Sequence, residues 1–267
     1  MRNAVKDLII GVAIVLALCS AAVAQETQTQ PGQVPQHTPS VFEQIGNAKG
    51  SGPAPKRDLT GVWAGPADSE PREVPPMTPL GQKMFSLNKP EGKYSLANTN
   101  DPFGNCDPLG MPRKLFDQTR GVLFAQMPDR VLQLWQYDRV WREIFTDGRE
   151  LPKNVGARSE DAPDPRWFGY SVGHWDGDYA FVVETTGSID KSWIDGAGYP
   201  HSVDMHVTER YTRTDHDTLN LVVTMEDPKI YTKPFSIQFT ELLLPDSDVT
   251  EYFCSENEKD GTHLRGN

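Results

Sequence analysis

The stretch Trp167-Phe168-Gly169-Tyr170-Ser171-Val172-Gly173-His174-Trp175-Asp176-Gly177-Asp178-Tyr179-Ala180-Phe181-Val182-Val183-Glu184-Thr185-Thr186 decides the fold class. Two strand-like runs flank Asp176-Gly177, and Asp-Gly between such runs marks a hairpin, because the tight turn needs positive φ and glycine supplies it. With a two-residue turn, Trp175 faces Asp178, Gly173 faces Ala180 and Ser171 faces Val182. Tyr170, Val172 and His174 then lie beside Tyr179, Phe181 and Val183, and this face is the expected core side.

Outward from the hairpin the same period recurs. Val122–Met127, Val131–Tyr137 and Val140–Thr146 precede it, separated by Pro128-Asp129 and Asp138-Arg139. His201–Arg213 and Thr218–Glu226 follow as a second hairpin, then Phe235–Leu243 and Val249–Cys254. A five-residue loop in the second hairpin sets Tyr211 against Leu219, Glu209 against Leu221, Val207 against Val223 and Met205 against Met225. That register keeps the apolar residues on one face, whereas a slip of one residue scatters them. About ten strands with short connections predict an all-β, antiparallel, up-and-down meander, closed as a lipocalin-like barrel or folded as a β-sandwich.

Before these strands the chain is poor in period and rich in proline. Thr78–Leu87 is the one short helix expected there, with Thr78 as N-cap and Pro79 in the first turn. The rest, to Lys114, reads as a long loop-rich belt packed over the outside of the sheet, since Leu132 and Leu134 put large side chains on the outer face as well.

The N-terminus carries a different message. A basic start, an apolar Leu8–Leu18 and Ala22-Val23-Ala24 form the layout of a secretory signal peptide over residues 1–24. Gln25–Arg57 is polar and rich in Gln, Pro, Thr and Gly, which predicts a flexible linker. A single β domain is then expected from Asp58 to Asn257, with a loose polar tail over 258–267. The implied compartment is periplasmic or extracellular. Cleavage after Ala24 removes Cys19 and leaves Cys106 and Cys254, the expected disulfide.

Net charge is −11, and loss of Arg2, Lys6 and Asp7 with the signal peptide leaves −12. Such a surface repels nucleic acid and anionic lipid. No run after the signal peptide is long and apolar enough for a membrane-spanning helix.

Gly169-x-Ser171-x-Gly173 matches the serine-hydrolase elbow, but that elbow needs a strand-turn-helix context, and a second strand follows here instead. His201-Ser202-Val203-Asp204-Met205-His206-Val207-Thr208-Glu209 is the densest ionisable cluster. Strand parity puts His201, Met205 and Glu209 on one face and Ser202, Asp204 and His206 on the other, so a metal centre is not expected. Glu209 falls on an apolar face, where a carboxylate is costly unless paired. Two readings follow: a structural ion pair with Arg142 or Arg213, or a buried general base of raised pKa with His201 or His206 as the acid.

The six tryptophans offer walls for an aromatic or apolar ligand. Trp175, Tyr211 and Asp204 are the candidate ligand-binding residues, and no cofactor motif occurs. The function expected is binding of a small, largely apolar or aromatic molecule, with acid/base turnover of the isomerase, lyase or hydrolase type by Glu209, His206 and His201 as one form. A non-catalytic carrier or sensor, or an envelope interaction protein, is the other.

Asp58-Leu59-Thr60-Gly61-Val62-Trp63 resembles the first strand of calycin-type barrels such as lipocalins and avidins. That resemblance implies an indole laid across the barrel's closed end. The Trp167-x-Gly-x-Ser-x-Gly-x-Trp-x-Gly-Asp run, Glu184-Thr-Thr-Gly187, Pro200-His-Ser202, His206-Val-Thr-Glu-Arg-Tyr211, Asp227-Pro-Lys229 and Tyr252-Phe-Cys-Ser-Glu-Asn257 together resemble a family of exported, β-rich bacterial proteins. This likeness implies fold and export, and it carries no catalytic residue across.

Overall fold

The computed structural model describes residues 52–65, 73–91, 93–95, 98–116, 121–244, 247–249 and 253–254. Nine strands close into a barrel in chain order: β1 (Gly61–Ala64), β2 (Val122–Gln126), β3 (Arg130–Trp135), β4 (Trp141–Phe145), β5 (Tyr170–Asp176), β6 (Ala180–Thr186), β7 (His206–Arg213), β8 (Thr218–Glu226) and β9 (Phe235–Leu243). The closing ladder joins β9 to β1 through Trp63↔Leu243 and Ala64↔Leu242. Closure excludes the sandwich. The expected tenth strand, Val249–Cys254, falls partly outside the described residues.

One neighbour pair departs from the predicted meander. β4 and β5 run parallel, paired only through Ile144↔Ser171 and Phe145↔Val172. A parallel pair requires the chain to cross back before the second strand starts, and segment 146–169 makes that crossing. This seam, with two residue pairs, is as short as the closing β9–β1 ladder.

Both hairpin registers are corrected. In β5–β6, Asp176 pairs with Ala180, Trp175 with Phe181, Gly173 with Val183 and Ser171 with Thr185. The turn therefore holds three residues, beginning at Gly177 with φ 74°, and the odd shift swaps the faces of β5. Ser171, Gly173 and Trp175 share the inner face with Phe181 and Val183, while His174 is exposed. Gly173 is obligatory there, because a Cβ would stand 2.5 Å from Phe181 Cζ and 2.8 Å from Ile144 Cγ2. In β7–β8 the pairs are Arg213↔Leu219, Tyr211↔Leu221, Glu209↔Val223 and Val207↔Met225. That shift is two residues, so the faces stay as expected.

The belt closes one end of the barrel rather than covering the outside of the sheet. Helix α1 (Pro79–Leu87) starts at Thr78, whose hydroxyl accepts from the Gly81 N–H. Thr78 N–H donates to Ile230 O and Thr232 N–H to Pro76 O, fastening the belt to the β8–β9 connection. Further on, Arg113 at the start of α2 (Arg113–Phe116) makes a buried two-bond pair with Asp101, at 2.6 and 3.0 Å. Met111, Leu115 and Phe116 are buried in the same core as the inward strand residues, and Phe116 meets Phe239 edge-on. Cys106 and Cys254 are joined, with Cα atoms 5.6 Å apart across a separation of 148 residues. The bond ties the belt to the chain beyond β9.

At the opposite end Trp63 is fully buried, and its indole N–H donates to Leu59 O. The Arg213 guanidinium lies 4.9 Å over the Trp63 ring and donates to Asp58 O and His216 O. Residues just before Asp58 also dock here: Arg57 N–H donates to Asp178 O, His216 N–H donates to Gly52 O, and Lys56 pairs with Asp178 at 2.7 Å. The expected signal peptide over residues 1–24, residues 25–51 of the expected linker and the expected tail over 258–267 lie outside the described residues.

Candidate functional site

Alternation along β3 to β7 points Gln133, Arg142, Ser171, Thr185, Glu209 and Tyr211 into the barrel, and all six are buried. Arg142 is their centre. Its Nη1 donates to Gln133 Oε1 (3.1 Å) and Glu209 Oε2 (2.9 Å), and its Nη2 donates to Glu209 Oε1 (2.7 Å) and Thr185 Oγ1. Its Nε donates to Ser171 Oγ at 2.9 Å. A guanidinium has five N–H donors, and here each has an acceptor. Tyr211 Oη accepts from Gln133 Nε2 (2.8 Å) and donates to Glu209 Oε2 (2.7 Å). Burial, and the Glu209 carboxylate beside it, push the Tyr211 phenol well above its ordinary pKa, which keeps it a donor.

This network decides between the two pairings offered for Glu209: its partner is Arg142, while Arg213 belongs to the Trp63 end. Neither histidine reaches it. His201 is fully buried, with Nε2 2.9 Å from Ser192 Oγ and Nδ1 3.1 Å from Ser202 O. The carbonyl can only accept, so the neutral ring carries its proton on Nδ1, and Nε2 shares the single Ser192 hydroxyl proton with Ile189 O, 3.0 Å from the same oxygen. Burial lowers the His201 pKa and holds the ring neutral. His206 opens β7 on the outward face, across from Glu226.

The three ligand-binding candidates are likewise dispersed. Tyr211 belongs to the buried network. Trp175 points inward near the Trp63 end, its ring 5.2 Å from Phe181. Asp204 is exposed and ion-paired with Lys229.

A cleft of about 350 Å³ opens at the β4–β5 seam. Its walls are Trp141 and Phe145 from the outer face of β4 and Trp167, Phe168 and Tyr170 from the approach to β5. Arg149 and Arg166 stand at the rim, and the buried Arg142 and Ser171 form the floor. The cleft exists because the two strands pair at only two positions and diverge beyond them. Local sequence fixes its walls: Gly169 turns at φ 61°, where a Cβ would lie 2.6 Å from Thr186 O, and so delivers Phe168 to stack on Trp135. Trp141 remains 63% exposed.

Sequence reasoning passed over Arg149, Arg166, Phe145, Phe168 and Tyr170 as cleft residues, and offered Trp141 and Trp167 only as two of six tryptophans able to wall a ligand. The signal lay in two short arginine-aromatic runs, Trp141-Arg142-Glu143-Ile144-Phe145 and Arg166-Trp167-Phe168-Gly169-Tyr170. Their proximity depends on the parallel seam. The described residues contain no group of three or more His, Cys, Asp or Glu able to hold a metal ion, and no helix among them is long and apolar enough to cross a membrane. No protein-family model, curated protein or solved structure matches the chain.

Proposed function

We propose that this barrel is an exported binding protein, a carrier or sensor, that seats a small, largely apolar aromatic molecule in the seam cleft. The observation that carries the reading is the cleft itself, with walls of Trp141, Phe145, Trp167, Phe168 and Tyr170 around one opening. Its volume, about 350 Å³, lies within the range of small-molecule sites. Export is supported by the signal-peptide layout and by a disulfide, which needs an oxidising compartment to form and persist. The likeness of Asp58–Trp63 to a calycin-type first strand is supported by the burial of Trp63 beneath Arg213.

The acid/base alternative has less behind it. Glu209 accepts from two Arg142 nitrogens and from Tyr211 inside the barrel, which takes three of the roughly four acceptor sites of a carboxylate, and His201 and His206 lie elsewhere.

Native mass spectrometry of the purified mature protein is the direct test. A co-purifying aromatic molecule is expected, and Trp141→Ala should lose it. A ligand that Trp141→Ala retains in full would overturn the cleft as its seat.

A further inference from the structure

We infer that the occupant of the seam cleft bears a carboxylate on its aromatic body and that Arg166 receives it. This inference rests on the cleft being the binding site, and it adds the ligand's chemical class. The argument is one of charge pairing. Among the ionisable residues that line the cleft, Arg142 is saturated by Glu209 and its neighbours. Arg149 is held by Asp147, with Nη2 2.6 Å from Oδ2, and its guanidinium lies 3.6 Å over the Phe145 ring. Glu143 is taken by Arg130 at 2.8 Å. Glu150 has Lys153 at 3.6 Å, both side chains in solvent.

Arg166 is different. Its guanidinium lies 4.2 Å over the Tyr170 ring, and among the described residues no carboxylate comes within ion-pair distance of it. Asp164, the acid nearest in sequence, offers Tyr170 Oη only its backbone carbonyl, at 2.9 Å. The backbone of Arg166 is pinned: its N–H donates to Gly187 O, and its carbonyl accepts from Gly169 and Ile189. A guanidinium with its face on an aromatic ring keeps its N–H edge for an in-plane fork, the geometry a carboxylate matches with two parallel bonds.

Net charge sharpens the point. At −11 the molecule as a whole repels anions, so an anionic group is retained here only by a local, uncompensated cation at the mouth of an apolar cleft. A single guanidinium suits a monoanion, whereas a dianionic phosphate would keep half its charge unpaired.

The test is isothermal titration of the full mature protein with 2-naphthoate and with its neutral counterpart 2-naphthamide. The wild type should bind the acid about tenfold more tightly, the scale of one charge-assisted fork at a partly exposed site. Arg166→Gln should bind both equally, at the affinity the wild type shows for the amide, with an unchanged melting temperature. Arg166→Lys should keep part of the preference, having the charge without the fork. Equal wild-type affinities that both fall in Trp141→Ala would overturn the carboxylate and leave the cleft standing. A preference that survives Arg166→Gln would overturn the role of Arg166. Failure to bind either compound, or binding indifferent to Trp141→Ala, would overturn the cleft reading and this inference with it.

Discussion

Strands β3 to β7 and strands β8, β9, β1 and β2 build one wall with one alternation, yet the first group gathers a connected cluster of polar side chains among its apolar ones while the second is almost wholly apolar. The second group contributes Leu219, Leu221, Val223, Ile237, Phe239 and Phe124, all buried and held by non-directional contacts, with one buried carboxylate, Glu241, among them. The first group contributes the Arg142–Glu209 pair with Gln133, Ser171, Thr185 and Tyr211, where each bond depends on geometry. The polar cluster lies at one of the two shortest ladders, the other being β9–β1 with two residue pairs. The β4–β5 ladder has two residue pairs, and Arg142 on β4 bonds side chains of β3, β5, β6 and β7. Side chains thus hold together from inside what the backbone joins weakly, and the cleft can open above them without the wall parting.

Removing one member of the polar group should have the largest effect. Glu209→Gln leaves a buried guanidinium without its counter-charge, which costs about 3 to 5 kcal/mol, or roughly a 10 °C loss of melting temperature for a domain of this size. Replacing Arg142 and Glu209 together by Met and Leu should recover part of that loss, because no buried charge is left unpaired, while Gln133, Ser171, Thr185 and Tyr211 each lose a partner. Thermal denaturation of the three proteins checks this. A Glu209→Gln protein that melts with the wild type would erase the distinction between the two sides.

On the apolar side, Leu221→Ala should cost about 3 kcal/mol through lost transfer energy and the cavity left behind. Leu221→Met should cost less than about 1.5 kcal/mol, since volume is nearly kept. Urea denaturation of this pair measures how forgiving that side is. No comparably mild single exchange is expected at Arg142.

A third prediction concerns a polar residue buried outside the Arg142 network. The folded protein holds His201 neutral, below its ordinary pKa, while the unfolded chain protonates it near pH 6.5. Above that pH the residue is neutral in both states and contributes no slope. As the pH falls through and below it, the unfolded state takes up the proton first and stability declines, by up to about 1.4 kcal/mol per pH unit. The decline stops once the folded state is protonated as well. Melting curves between pH 7 and pH 5 should therefore fall less steeply for His201→Asn than for the wild type. Equal slopes would mean that His201 takes no part in the acid response.

The parity of β7 was legible in the sequence, and with it the conflict of a carboxylate on an apolar face and its pairing with an arginine. The Thr78 cap and the Cys106–Cys254 link were legible too, because each rests on local chemistry or on elimination. The face of β5 was not. Asp176-Gly177 suits a two-residue turn, but the chain uses three, and that residue put Ser171 inside beside Arg142 and His174 outside. The seam was hidden for a related reason: nothing local in segment 146–169 says that it crosses back, so the meeting of Trp141-to-Phe145 with Arg166-to-Tyr170 is a tertiary fact.

The smallest stability effect belongs to the cleft wall. Trp141 is 63% exposed, so Trp141→Ala should change stability by no more than about 0.5 kcal/mol. The same substitution should weaken binding of an aromatic ligand, and thermal melts beside titrations separate the two. A large loss of stability would instead make Trp141 part of the barrel's support.

Two-dimensional 1H–15N NMR resolves the indole N–H signals of the tryptophans and locates the ligand directly. On titration with 2-naphthoate, the signals of Trp141 and Trp167 at the seam should shift, while Trp63, beneath Arg213 at the far end, stays in place. Movement of Trp63 and Trp175 with Trp141 and Trp167 unmoved would put the ligand inside the barrel and contradict the seam cleft as the binding site.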